Sequence, residues 1–253
     1  EYKQLCGRAG RPQYDKYGEA IIVGSSNSEE IFDYYINGIP EPISSKLTGD
    51  KALRIHLLSF VSTNPGIKGD DIVEFFSKTL SGSQERKTTI KFHIQISLRY
   101  LESEDLVKQK GGRYIATEFG KKTSTLYIDP LTAVLFRNSL EKNQTKGHTL
   151  GLLHVITISE DFFPKFSLRN KDYEFVSTLI ENYADQLIEP ISEYDCNRSL
   201  LAIHSWINES SEIFLSDNFG IESGDMHRIV ETSDRLIHAL YEIANLEKQD
   251  EKL

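Results

Sequence analysis

The chain reads as mostly α. A short α/β segment comes first, then a helix-rich unit that closes on a β-hairpin, then an all-helical bundle. Three observations predict this. Apolar residues recur at i, i+3, i+4 spacing through most of residues 50–246. One short apolar run, Glu19 to Val23, suits a buried parallel strand. Gly111-Gly112 separates two short β-prone runs, which is a hairpin signal. With 253 residues and 39% apolar content there is room for one large or two small domains with real cores.

Residues 1–46 open on a turn rich in small residues. The strand at Glu19–Val23 and a short helix from about Ser28 to Asn37 follow. One strand and two helical pieces cannot close a sheet, so this segment is expected to be partly disordered or to draw support from the rest. Gly38-Ile39-Pro40-Glu41-Pro42 reads as a linker, because each proline disfavours helix at the residue before it.

Residues 47–128 read helix, helix, helix, hairpin. The first helix runs from Asp50 to Thr63 with Leu53, Leu57, Leu58 and Val61 on one side, and Asn64-Pro65-Gly66 stops it. A short second helix begins at Gly69-Asp70 and carries Ile72, Val73, Phe75 and Phe76. The third runs from about Thr88 to Ser103, with Ile90, Ile94, Leu98 and Leu101 in register. Leu106-Val107-Lys108 and Tyr114-Ile115-Ala116 then flank the paired glycines. This is the outline of a winged helix. Lys91, Gln95 and Arg99 form a stripe on the third helix that would suit a major groove. Phe92 and Ile96 beside that stripe favour a helix buried on two sides, a bracket between domains rather than a sequence reader.

Residues 129–253 read as helices with short polar or proline-containing connections, a bundle. The expected helices are Leu131–Leu140, Thr149–Asp161, Asp172–Leu187, Cys196–Leu215 and Asp225–Leu246. Trp206, the single tryptophan, shares its helix with Leu200, Leu201, Ile203, Ile207 and Ile213 and is expected in the core, with His204 a bystander.

The net charge of −9 argues against a surface that coats nucleic acid indiscriminately. Lys78 to Arg113 is a local exception, with eight basic residues against four acidic ones. Cys6 and Cys196 have no metal-ligand partner at useful spacing, and no metal site is expected. No apolar run reaches the length of a membrane span. A cytoplasmic, reducing setting and a monomeric state are expected.

Chemistry is carried first by Gln4 to Pro12, Q-L-C-G-R-A-G-R-P. Arg8 and Arg11 stand three apart among Gly7, Ala9 and Gly10, a spacing that on a helical turn puts both guanidinium groups on one side. Arginine binds phosphate oxygens in a bidentate fork and keeps its charge. A nucleotide hydrolase needs that arrangement where charge builds on a γ-phosphate. No G-x-x-x-x-G-K-[ST] loop and no magnesium-binding Asp-Glu pair on an apolar strand is found. Gly120-Lys121-Lys122 comes nearest to a phosphate loop, and it lacks the upstream glycine and the hydroxyl.

Asp225 to Leu246 carries the second signal. Met226, Ile229, Val230, Leu236, Ile237, Leu240 and Ile243 form one apolar stripe, and Arg228 and Arg235 lie about 20° apart on its edge, roughly 10 Å apart along the axis. Two guanidinium groups on one line can hold a single strand at two points. The pattern alone favours a blander role, two surface arginines paired with Glu231, Asp234 or Glu242.

The Q-x-x-G-R-x-G-R run matches motif VI of superfamily-2 helicases. The chain as a whole resembles the archaeal Ski-like DNA repair helicases of that superfamily. Supporting anchors are Leu126-Tyr127-Ile128-Asp129-Pro130-Leu131, Trp206-Ile207-Asn208-Glu209 and Gly224-Asp225-x-x-Arg228-Ile229-Val230-Glu231-Thr232. The resemblance implies the C-terminal part of an ATP-dependent 3′-to-5′ DNA helicase acting at stalled or branched forks. Residues 1–46 would be the remnant of its second RecA-like motor domain, 47–128 its winged-helix domain and 129–253 its helical ratchet domain. It implies that Gln4, Gly7, Arg8, Gly10 and Arg11 sense the nucleotide, with Arg8 and Arg11 catalytic, and that ATP and magnesium serve the whole enzyme. It implies that Arg228 contacts single-stranded DNA, with Arg235 at a position where the family often has tryptophan. The partners implied are single-stranded and forked DNA and the N-terminal motor domains. The chain alone is expected to bind no ATP and to hydrolyse none, and the family's small C-terminal helical domain is expected to be absent. A winged-helix regulator that prefers duplex, and an RNA helicase of the same family, are the competing readings.

Overall fold

The structure, a computed structural model, describes residues 2–11, 13–24, 28–39, 41–47, 49–142, 149–183 and 197–250. Its contacts divide the chain into two units, residues 1–44 and 45–253. The architecture is mostly helical, with one small sheet among the described residues.

In the first unit, α1 (Tyr2–Cys6) ends at Gly7, whose N–H reaches the Lys3 carbonyl. α2 (Ser28–Phe32) runs on into a π-helical turn, Asp33–Asn37. The strand expected at Glu19–Val23 does not form: Ile21 is 81% exposed and Val23 is 93% exposed. A parallel strand is stable only between hydrogen-bonded neighbours. The described residues of this unit contain no strand to pair with it.

The second unit starts with α3 (Asp50–Thr63), which buries Leu53, Leu57, Leu58 and Val61. Asn64 ends it by returning its backbone N–H and its side-chain amide to the Phe60 carbonyl. β1 (Ile67–Lys68) leads into α4 (Gly69–Ser77) and α5 (Leu80–Gln84). The longer α6 (Lys87–Ser103) precedes the hairpin of β2 (Val107–Lys110) and β3 (Arg113–Ala116). β3 lies in the middle of an antiparallel sheet ordered β1-β3-β2, with Ile67 opposite Tyr114 and Val107 opposite Ala116. The turn needs left-handed backbone at both central residues, and Gly111 and Gly112 supply it at φ +59° and +73°.

α7 (Glu118–Leu126) was not anticipated. The Thr117 hydroxyl caps it by accepting the Gly120 N–H at 2.9 Å. A Cβ at Gly120 would collide with the Leu106 carbonyl, so this glycine is there for close packing and not as part of a phosphate loop. α8 (Pro130–Lys142) starts on an Asp-Pro pair, and the Asp129 carboxylate accepts the Leu131 N–H at 2.9 Å.

α9 (Thr149–Ile158) is buried along most of its length. A 3-10 turn (Asn170–Asp172) opens α10 (Tyr173–Asn182), and residues 184–187 of the longer helix expected there lie outside the described residues, as does Cys196. The single helix expected over Cys196–Leu215 is in fact two, α11 (Arg198–Ile207) and α12 (Glu212–Phe219). Glu209 turns left-handed at φ +62°, and the Ser211 hydroxyl then caps α12 through the Phe214 N–H at 3.2 Å. α13 (Ser223–Asp250) completes the described chain. One core cluster runs through the unit from Leu53 to Ile243.

Burial departs from expectation on α11 and α6. Trp206 is 45% exposed, because the core side of α11 is already filled by Leu200, Leu201 and Ile203. On α6, Ile90, Ile94, Leu98 and Leu101 are buried while Phe92 and Ile96 are exposed, so the helix buries one side in this structure and not two. No described helix is long and apolar enough to cross a membrane.

Candidate nucleic-acid interface

α13 is amphipathic by spacing. Met226, Ile229, Ser233, Leu236, Leu240 and Ile243 fall on one face and are all buried. Ile237, expected in that stripe, lies off it and is 46% exposed. Sealing one face holds the helix rigidly and leaves the other to solvent. Arg228 and Arg235 are both exposed, on one edge of the open face.

The acidic partners that the pattern offered them are engaged elsewhere or unpaired with them. Glu231 meets His227 at 3.2 Å, and Glu242 meets Lys122 of α7 at 2.7 Å. The Lys122 hydrogen bond and charge hold the Glu242 carboxyl below its ordinary value. Among the described residues Arg228 has no hydrogen-bond or ion-pair partner, and Arg235 has a single bond, from Nη2 to the Asp161 carbonyl at 3.2 Å. A guanidinium has five N–H donors, so Arg235 keeps most of its capacity for phosphate.

The loop that Arg235 touches was not foreseen as part of the site. It follows α9 and is tied down along its length. The Thr232 hydroxyl donates to the Phe163 carbonyl at 2.7 Å, and the Lys165 ammonium donates to the Ile158 carbonyl at 2.9 Å. Burial holds the Lys165 ammonium below its ordinary value, opposed by Glu160. The Asp161 carboxylate accepts the Asp129 N–H at 2.6 Å and pairs with Lys51 at 3.2 Å. Asp129, wholly buried, takes Arg54 on both carboxylate oxygens at 3.3 and 3.1 Å. The Ile128-Asp129-Pro130 junction therefore joins α3, the start of α8 and the loop beneath α13.

Arg8 and Arg11 sit differently. Both follow α1 instead of lying on it, so the shared helical face expected from their spacing is not formed. The Arg8 N–H bonds to Leu5 and the Ala9 N–H to Cys6 in a tight turn, and Gly10 is left-handed at φ +77°. The Arg11 N–H donates to the Asp15 carboxylate at 2.8 Å. A Cβ at Gly18 would collide with the Ala9 backbone, so that glycine lets the following segment fold back over the turn. Gln4, Arg8 and Arg11 are exposed, and neither guanidinium has an ion-pair partner among the described residues. No group of three His, Cys, Asp or Glu side chains that could hold a metal is found among the described residues.

An edge of exposed arginines on a helix sealed along its other face, in a chain that also carries the Q-x-x-G-R-x-G-R run, points to the class of superfamily-2 helicases. Residues 150–253 match the family described as archaeal helicase, domain 4. The chain is 34% identical over 262 aligned positions to the ATP-dependent DNA helicase Hel308 of Methanocella arvoryzae, covering 97% of this chain and 35% of that protein. The Hel308 proteins of Pyrococcus horikoshii and Thermoplasma acidophilum are 32% and 31% identical, over 96% and 99% of this chain and 35% and 36% of their own lengths. The chain belongs among the archaeal Hel308-like superfamily-2 helicases, and it spans about a third of the length of these relatives.

Proposed function

We propose that this chain supplies the strand-handling region of an ATP-dependent 3′-to-5′ DNA helicase that works on forked or branched DNA. Residues 47–128 form its winged-helix domain and residues 129–253 its ratchet domain, with α13 gripping single-stranded DNA through Arg228 and Arg235. Residues 1–46 belong to the second motor domain. There Gln4, Gly7, Arg8, Gly10 and Arg11 face the nucleotide, with Arg8 and Arg11 against its γ-phosphate. Two unpaired guanidinium groups beside a glycine turn fit a phosphate. The phosphate loop and the magnesium-binding acids would come from the N-terminal motor domains, so this chain alone does not turn over ATP, whose hydrolysis supplies the energy for unwinding.

The observation that carries this reading is Arg228, exposed and unpaired on a helix whose opposite face is sealed in the core. The relatives' names supply ATP and DNA; geometry alone does not. The exposed Lys91, Gln95 and Arg99 on α6, beside exposed Phe92 and Ile96, favour a second reading, in which the winged helix docks on duplex.

Fluorescence anisotropy with a labelled single strand, a duplex and an RNA of equal length separates the two. Tightest binding to single-stranded DNA, weakened in Arg228→Ala, is expected. Preference for duplex, lost in Lys91→Ala and indifferent to Arg228, would transfer the function to α6. In the whole helicase, Arg228→Ala is expected to lower the base pairs unwound per ATP.

A further inference from the structure

We propose that Phe163 is the base-stacking residue of the α13 interface, completing with Arg228 and Arg235 a site for single-stranded DNA. This rests on the strand-binding role of α13 argued above. Phe163 is 70% exposed, yet its neighbours are anchored. Phe162 is buried at 2% exposure, and the Pro164 carbonyl accepts the Ser199 hydroxyl at 2.8 Å. The ring is thus displayed on backbone held from both sides, so little conformational freedom remains to be lost on binding.

The loop meets α13 between the two arginines. The Phe163 carbonyl takes the Thr232 hydroxyl at 2.7 Å, and the Asp161 carbonyl takes Arg235 at 3.2 Å. Thr232 stands four residues after Arg228 and three before Arg235, so the anchor lies about 6 Å and about 4.5 Å along the axis from each. The backbone that carries the exposed Phe163 ring is therefore anchored on α13 between the two arginines. Phosphates can sit on the guanidinium groups while a base lies on the ring, the combination that single-strand sites use. Tyr241, another exposed aromatic on α13, does not serve this edge: at 100° per residue it points about 140° away from Arg228.

Stacking and phosphate contact leave different signatures. Loss of a stack lowers affinity without changing its salt dependence, whereas loss of a phosphate contact flattens it. The test uses this chain with a labelled single strand, intact or carrying abasic sites, across a salt series. Phe163→Ala is expected to bind the intact strand about five- to 150-fold more weakly, the range of one lost base stack. The salt slope should stay the same, and the preference for intact over abasic strand should disappear. Phe163→Tyr should restore both affinity and preference, and Thr232→Val, which frees the loop, should fall between. If Phe163→Ala binds intact and abasic strands as the wild type does while Arg228→Ala is impaired, Phe163 has no such role and the α13 reading stands. If the wild type does not bind single strands at all, both fall.

Discussion

Arg8 and Arg11 stand on a turn held by hydrogen bonds within a few residues of chain, while Arg228 and Arg235 stand on a helix whose far face is packed into the core. The two pairs are chemically alike and physically unlike. The first pair's unit exposes Ile21, Val23 and Ile39 and forms no sheet among its described residues. The second pair's unit buries Ile229, Leu236 and Ile243 completely and ties the adjoining loop to three elements. A guanidinium on a sealed helix is aimed before its ligand arrives, so less ordering is needed on binding. The Gln4–Arg11 run keeps its residues on a local turn, with no strand beside it among the described residues of its unit.

Mutations should break this contrast unevenly. The largest effect is expected at Asp129, whose buried carboxylate is doubly bonded by Arg54. Asp129→Ala strands that guanidinium, which is 15% exposed, and should cost about 3–5 kcal/mol in urea unfolding of the second unit. Next, Ile229→Ala should cost about 2–5 kcal/mol by opening a cavity beneath the arginine edge. Its counterpart Ile21→Ala, at an 81% exposed position, should stay within about 0.5 kcal/mol. A large loss at Ile21 would mean that the first unit has a core of its own.

Acid should loosen the second unit at a particular place. Asp172 is 2% exposed; burial alone would raise its pKa, but the Arg169 hydrogen bonds at 2.7 to 3.0 Å outweigh this and leave it below the ordinary 3.8. A carboxyl depressed in the folded state contributes stability that is present above the unfolded value and lost as pH falls through the folded one. The wild type should therefore lose stability below about pH 3.8, and Asp172→Asn, weaker at neutral pH, should lose less over the same range. Parallel acid curves for the two proteins would show that the Arg169 pairing is not what holds Asp172 down.

What the sequence made legible follows from how local the cause is. α3, α6 and the Gly111-Gly112 hairpin rest on apolar spacing and turn chemistry written in consecutive residues, and they form where the pattern puts them. The segment Glu19–Val23 has the apolar run of a strand but forms none, since a strand depends on partners that its own residues do not encode. Asn208-Glu209-Ser210 carries no glycine or proline, so the break between α11 and α12 left only Ser211 as a weak capping signal. The arginine edge of α13 was visible because helical geometry is periodic. The loop at Asp161–Lys165 was not, because its bonds join side chains to backbone carbonyls about seventy residues away, and carbonyls have no sequence signature.

The smallest structural change carries the central claim. Arg228→Ala at an exposed position should leave stability within about 0.5 kcal/mol while removing one phosphate contact. The decisive measurement is single-strand affinity against salt concentration for the wild type, Arg228→Ala and Arg8→Ala. The log–log slope is expected to become shallower by about 0.7 for Arg228→Ala, the value of one single-strand phosphate contact, and to stay unchanged for Arg8→Ala. An unchanged slope for Arg228→Ala with a flattened one for Arg8→Ala would contradict it, and would assign the strand to the motif VI turn instead of α13.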